Sequence, residues 1–313
     1  MTARQQGLIV RKPGFLSLLQ DAGRERVMHL GLATGGAMDR HAWAWGNQLL
    51  GNRYGAPALE ITFGGSEFTC TLDTQIAVTG AAVTCTVNGE TQPLWATISV
   101  SRGDEIALSA PKSGLRAYLA VRGGFLVEPG LGGSCATFTR EKTGGLHHDG
   151  KPLQTDDILP CPETSDYVPN RKVPAQWIPE YTAAATLDVV LGAQVDRFPS
   201  RALDDFFSHA YELSAQSDRM GARLNGPALA VKGERLISEG ISLGSIQVPA
   251  DGQPIILLND RQTIGGYPKL GAVTPRSLDT LAQCVPGSSL QFRPISLHEA
   301  QKQERTFLRF FYL

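Results

Sequence analysis

The sequence predicts a mainly β fold with a few short helices, built as a barrel or a sandwich. Glycine and proline are abundant, at 34 and 19 of 313 residues. Short strands joined by tight turns use both heavily. Between Pro57 and Val121, short β-branched runs recur at close intervals with no helical pattern between them. Within that stretch, Asn88-Gly89 is a strong type I′ hairpin signal, because both central residues of that turn need a positive φ.

Taken in order, residues 8–14 read as a strand stopped by Pro13-Gly14, and residues 15–20 as a second stopped by Asp21-Ala22-Gly23. A helix follows over 41–50, with Asp39 as N-cap and Gly51 at the position after its end. Trp43 and Trp45 on that helix read as core packing. Strands are expected at 67–72, 75–79, 85–87, 92–94, 96–101, 105–109 and 116–121. Residues 123–150 are glycine-rich and irregular, and the prolines between 152 and 179 suggest a surface linker in the later part of that stretch. A second β-rich region opens with Leu187-Asp188-Val189-Val190. It carries a short helix around Phe206-Phe207 and strands at 211–215, 246–248, 255–258 and 290–292. Helices are expected at 277–283 and 298–311.

Composition bounds the function. Hydrophobic residues make up 42% and charged residues 19%, the balance of a globular chain. A net charge of −1 offers no basic field for nucleic acid or an anionic membrane. No apolar run is long enough to span a bilayer, and the N-terminal stretch lacks a signal-peptide core. The five cysteines, Cys70, Cys85, Cys135, Cys161 and Cys284, form no CxxC pair. Reduced thiols, no metal site and a cytoplasmic location are therefore expected.

Several familiar site motifs are missing or misplaced. No P-loop, GxGxxG fingerprint or HExxH pair occurs. Gly240-Ile241-Ser242-Leu243-Gly244 fits the GxSxG pattern, but a strand-like run closed by Pro249 follows where a nucleophile elbow needs a helix, so it reads as a loop. Ala37-Met38-Asp39 has no lysine after its methionine, so biotin is not expected on this chain.

Two glycine-bearing stretches concentrate polar groups. In the first, residues 31–39, Gly35-Gly36 let the backbone approach a ligand, and the stretch feeds a helix N-terminus whose free N–H groups attract carboxylates. The alternative is that Asp39 caps the helix and the glycines make a turn. In the second, residues 259–269, Gln262 can both donate to and accept from an amide. Lys269 or Arg261 can hold a carboxylate, and Tyr267 can move a proton or face a developing oxyanion. Asp39, Asp260, Tyr267 and Lys269 all remain open as general acid or base, and a structural loop with a polar rim is the competing reading.

At these residues the chain resembles the family of 5-oxoprolinase C subunits, also described as allophanate hydrolase subunit 2 or biotin-dependent carboxyltransferase-like proteins. The matching stretches are VRKPGFLSLLQDAGR (10–24), GLATGGAMD (31–39), PALEITFGG (57–65) and YLAVRGG (118–124). SDRMGARLNG (217–226), ISEGISLGSIQVP (237–249) and DRQTIGGYPKLG (260–271) continue the series in family order. The family often has Ser-Gly where this chain has Gly35-Gly36, and Thr where it has Ile264.

The resemblance implies two β-barrel-type lobes of cyclophilin-like character, here 1–165 and 185–313, with 166–184 as linker. It also implies work with the A and B subunits of 5-oxoprolinase to open 5-oxoproline to glutamate at the expense of ATP. Because the chain lacks a P-loop, ATP would then be handled with partner residues or by an unrecognised site. Asp260, Gln262, Tyr267 and Lys269 are the candidate catalytic residues. Gly35, Gly36, Met38, Asp39, Glu60, Arg261, Thr263, Gly265 and Gly266 are the candidate substrate-binding ones, with Glu60 placed just before a strand. Asp218, Arg219 and Met220 mix charge with a flexible thioether and suggest a partner interface, with a capped turn as the alternative. Two other roles fit the family: carboxyltransferase component of a biotin-dependent urea or related amide carboxylase, and regulatory module binding a kinase-inhibitor-like B subunit.

Overall fold

A computed structural model describes residues 6–233 and 236–312. They fall into two compact units. The first holds residues 6–25, Gly35–Tyr181 and Tyr312, and the second Arg26–Thr34 and Thr182–Phe311. The class is mainly β with a few short helices, as the sequence predicts, and four of them are α-helices among the described residues. Among the described residues no helix is long and apolar enough to cross a membrane.

The first unit carries β1 (Gly7–Pro13), β2 (Leu16–Gln20), α1 (Arg40–Leu49), β3 (Ala58–Thr62), β4 (Ser66–Cys70), β5 (Thr74–Gly80), β6 (Cys85–Val87), β7 (Glu90–Gln92), β8 (Thr97–Val100), β9 (Glu105–Leu108), β10 (Arg116–Val121) and β11 (Ile158–Pro160). They form a six-stranded sheet, β11-β1-β4-β9-β6-β7, and a five-stranded sheet, β2-β3-β10-β5-β8. Leu8, Val10 and Phe68 from one sheet share a core with Ile61, Val78 and Leu119 from the other. Of the two forms left open by the strand pattern, this unit takes the sandwich.

Every residue of β3 and β5 is buried. The reason is that α1 packs against β5 and β10 on the sheet's other face. Gly46 lets the helix approach, since a Cβ there would stand 3.2 Å from Thr79 Oγ1. Thr79 Oγ1 in turn donates to the Ala42 carbonyl at 2.7 Å. Trp43 and Trp45 are buried, as expected. Asp39 caps α1 through the Ala42 N–H at 2.9 Å, an interaction worth about 1 kcal/mol. The hairpin at β6–β7 turns on Asn88 (φ +53°) and Gly89 (φ +82°), both positive as a type I′ turn demands. Glu60 is not ahead of a strand but in the middle of β3.

The second unit carries β12 (Ala184–Leu191), α2 (Ser200–Ser208), β13 (Tyr211–Leu213), β14 (Gly221–Asn225), β15 (Glu239–Gly240), β16 (Ser245–Gln247), β17 (Ile255–Leu257), β18 (Ile264–Gly265), β19 (Lys269–Val273), α3 (Pro275–Leu281), β20 (Ser289–Pro294) and α4 (Leu297–Phe311). Seven strands close a barrel in the order β12-β19-β16-β17-β14-β13-β20, with β12 and β20 parallel at the seam. Leu187, Ile246, Ile256, Leu270 and Leu290 are fully buried in this unit. A separate two-stranded pair, β15–β18, joins Glu239 to Gly265 and Gly240 to Ile264. Ser242 sits between β15 and β16 with no helix after it, so the GxSxG match is a loop, as expected. None of the five cysteines forms a disulfide, and all are buried.

Candidate functional site

The polar residues singled out in the sequence separate into one cluster in each unit. In the first, Gly35 and Gly36 hold positive φ angles of +63° and +88°. A Cβ on Gly35 would stand 2.2 Å from the Phe138 ring, and one on Gly36 3.0 Å from the Ala22 backbone. Close packing therefore requires both glycines. The N–H groups leading into α1 already have partners. Ala37 N–H donates to the Asp21 carbonyl at 3.1 Å. Met38 N–H donates to Glu60 Oε2, and Asp39 N–H to the Tyr118 hydroxyl oxygen, each at 2.8 Å.

The expected anion site at this helix start is thus filled from within: the carboxylate it binds is Glu60. Tyr118 OH donates to the same Glu60 oxygen at 2.8 Å, and Arg116 Nε lies 3.7 Å from Glu60 Oε1. Asp39 uses one oxygen for its cap and accepts from Tyr181 OH at 3.0 Å on the other. Burial, then the charges of Glu60 and Asp39, push the Tyr118 phenol well above its ordinary range. Gly35, Gly36, Met38, Asp39 and Glu60 are all buried. Within this unit Met38, Asp39 and Glu60 take part in a buried hydrogen-bonded network at the start of α1.

In the second unit the segment 259–268, which contains β18, leads from β17 to β19. Asp260, expected to act on protons, is buried and grips Arg219 at two points, with Nε to Oδ2 at 2.9 Å and Nη2 to Oδ1 at 3.2 Å. Arg219, expected on a partner surface, is equally buried, because that ion pair ties the 218–221 turn to the end of β17. Asp218 accepts from the Met220 and Gly221 N–H groups, which makes the segment the capped turn that was the alternative. Met220 leads into β14, a strand that the local sequence pattern does not reveal.

Arg261 is buried, and no carboxylate pairs with it among the described residues. Its guanidinium reaches only weak neutral acceptors: Thr34 Oγ1 and the Leu258 and Ile241 carbonyls at 3.3 Å, and Met28 Sδ at 3.6 Å. Burial pulls its pKa down to about 10. Gln262 and Thr263 are partly buried, and the Thr263 carbonyl accepts from Ile241 N–H. Gly265 and Gly266 are tight, with a Cβ standing 2.6 Å from Ile241 Cδ1 and 2.8 Å from the Leu236 carbonyl respectively. Tyr267 is 45% exposed, and its ring lines an open groove of about 770 Å³ with Leu229, Val248 and Pro268.

Lys269 opens β19 instead of closing a loop. Its Nζ forms an ion pair with Glu239 Oε1 at 2.5 Å. The Lys269 ammonium, helped by Gln194, holds the Glu239 carboxyl below its ordinary 4.5. Both side chains line a second depression of about 530 Å³ with Ser242, Ser245 and Thr274. Arg261, Gln262, Thr263, Tyr267 and Lys269 thus come from one short segment of a barrel lobe. They offer two cations, an amide and a phenol.

Comparison with known proteins agrees with the resemblance drawn from the motifs. Residues 30–294 match the family model described as carboxyltransferase domain, subdomain A and B. The chain is 34% identical over 307 residues to the C subunit of 5-oxoprolinase from Escherichia coli (strain K12), covering 97% of this chain and 96% of that protein. It is 31% identical over 309 residues to urea amidolyase of Saccharomyces cerevisiae, covering 92% of this chain and 17% of that protein. The solved urea carboxylase of Kluyveromyces lactis superposes with a TM-score of 0.90 at 28% identity, over 98% of this chain and 29% of that one.

Proposed function

We infer that this chain, which belongs to the family of carboxyltransferase domains with subdomains A and B, serves as the C subunit of an ATP-dependent 5-oxoprolinase. With the A and B subunits it opens 5-oxoproline to L-glutamate. One observation carries the reading: the chain is 34% identical to the C subunit of 5-oxoprolinase over 307 residues, which cover 96% of that protein. We place the complex in the cytoplasm, in keeping with five buried cysteines outside any disulfide.

The substrate is a small lactam carboxylate, and the second unit's loop carries complementary chemistry. Gln262 pairs with the lactam amide, donating to its oxygen and accepting from its N–H. Arg261 and Lys269 supply positive charge for the carboxylate. For Arg261 a ligand anion would give its uncompensated charge a partner. Tyr267, exposed and next to two tightly packed glycines, donates to the oxygen that gains charge as the ring opens. An unstrained lactam is a poor electrophile, and ATP, consumed by the assembled complex, activates its oxygen. In this reading Asp260 leaves the list of acid–base groups and supports the loop through Arg219.

The test is glutamate formation from 5-oxoproline and ATP by this chain with its neighbouring A and B subunits, each omitted in turn. Activity that requires this chain supports the reading, and 5-oxoproline left intact by the full complex overturns it. The superposition on a urea carboxylase favours one second reading: transfer of a carboxyl group from biotin carried on another chain to an amide. Urea-dependent consumption of carboxybiotin would select it.

A further inference from the structure

One buried donor in the second unit has no partner among the described residues and lies outside the stretches that the sequence marks as candidate sites. Gln247, the last residue of β16, is 1% exposed, and its Nε2 has no hydrogen-bond acceptor among the described residues. A buried amide N–H group left without an acceptor is costly and rare, so it asks for a reason. Its surroundings supply one. A Cβ built on Gly265 would stand 2.9 Å from Gln247 Nε2, so the glycine is what allows the amide to lie there. On the neighbouring strand, Gln247 is the register partner of Lys269, and the pairing shifts at that point. Paired positions on adjacent strands present their side chains on the same face, and such irregularities re-aim side chains next to functional sites. Lys269 Nζ is as enclosed as the amide and contacts one carboxylate among the described residues, Glu239. Glu239 itself pairs with Gly265 across β15–β18 and keeps 48% of its side chain exposed.

We propose that Gln247 Nε2 and Lys269 Nζ form a carboxylate subsite beneath the β15–β18 pair, and that Glu239 occupies it until a substrate carboxylate displaces it. The inference rests on the proposed function only for which carboxylate enters. Two donors, one charged and one neutral, match the two oxygens of a carboxylate. Glu239 swings out by exchanging its contacts with Lys269 and Gln194 for water, in which half of its side chain already lies. Gln247 is then a binding residue whose stability penalty in the unliganded protein is relieved by the ligand.

The test uses the full complex with 5-oxoproline as probe, and calorimetry on this chain with 5-oxoproline and with urea. Gln247→Leu removes the donor at nearly constant volume. It should raise the KM or Kd for 5-oxoproline at least tenfold while Tm stays level or rises by a few degrees. Glu239→Gln, on the surface and safe for folding, should act in the opposite direction and lower the Kd, because it removes the internal competitor. Gln247→Leu with KM and Kd within twofold of wild type overturns the subsite, as does a Glu239→Gln variant that binds no more tightly. Loss of Tm in Gln247→Leu with binding intact also overturns it, and marks the amide as bridged by a structural water. If the wild-type complex leaves 5-oxoproline intact but the chain still binds it in a Gln247-dependent way, the subsite stands and the 5-oxoprolinase reading falls. Binding of urea but not of 5-oxoproline, or of neither, overturns the subsite, since urea carries no carboxylate.

Discussion

The carboxylates at the start of α1 and the donors around β16 and β19 differ in how far they are paired. In the sandwich, Glu60 and Asp39 sit at the start of α1 with their oxygens engaged by backbone N–H groups and two tyrosines. In the barrel, among the described residues, Arg261 has no carboxylate partner, Gln247 Nε2 has no acceptor, and Lys269 has only the half-exposed Glu239. A satisfied network stabilises one conformation, whereas an unsatisfied one keeps interaction energy in reserve for a ligand. A motif rich in glycine and acids is therefore insufficient to mark a site. What separates the two regions is whether the polar groups have already found each other.

That contrast can be broken most severely at Asp260, the one acidic residue of the barrel loop that is fully paired. Asp260→Ala leaves Arg219 buried without its carboxylate, and it should cost about 3–5 kcal/mol of stability in denaturant unfolding. A cost below about 1 kcal/mol with turnover lost would return Asp260 to the chemistry. Next comes Lys269→Ala, whose partner lies half in water. Turnover by the complex should fall about 10²–10³-fold, while stability changes by less than about 1 kcal/mol. Steady-state kinetics beside a melting curve reads both.

Asp39→Ala sharpens the comparison from the sandwich side. A structural cap predicts a loss of about 1 kcal/mol with kcat per folded molecule unchanged, and a specific drop in kcat would show that the network does chemistry. The smallest effect concerns pH. The folded-state pKa of Glu239 lies below its ordinary 4.5. The pair's contribution is therefore fully present above that value and is lost as pH falls through the lowered folded one. The Tm difference between wild type and Glu239→Gln should be constant above about pH 5.5 and shrink as pH falls through the lowered folded value. Half exposure keeps it under about 1 kcal/mol.

Much of the fold is legible in the sequence because it is written locally. The Asp39 cap, Gly51 after α1, the Asn88-Gly89 turn and the strands between Cys85 and Val121 each depend on a few adjacent residues. What escaped depends on pairing across the chain. β14 and β19 lie in stretches whose charged and glycine residues suggest loops, and they become strands because β17 and β16 pair with them. The site divides the same way. The cations, amide and phenol of 261–269 are conspicuous by type, but nothing local shows that Asp260 is consumed by Arg219, 41 positions away. Gln247 had a faint signal, a polar residue alternating with Ile246 and Val248. Alternation, however, does not say which face lies inside or whether an amide there finds an acceptor.

The barrel's seam sets a condition on how the protein is made. β12 at Ala184–Leu191 and β20 at Ser289–Pro294 are the first and last of its seven strands, and they meet in parallel. Pairings among the strands between them can form while synthesis is still under way, but this one waits for nearly the whole lobe to leave the ribosome. Until then β12 carries an open edge, ready to accept a strand from a neighbouring nascent chain. The barrel is therefore the last part of the lobe to close, and its first strand is the part exposed longest.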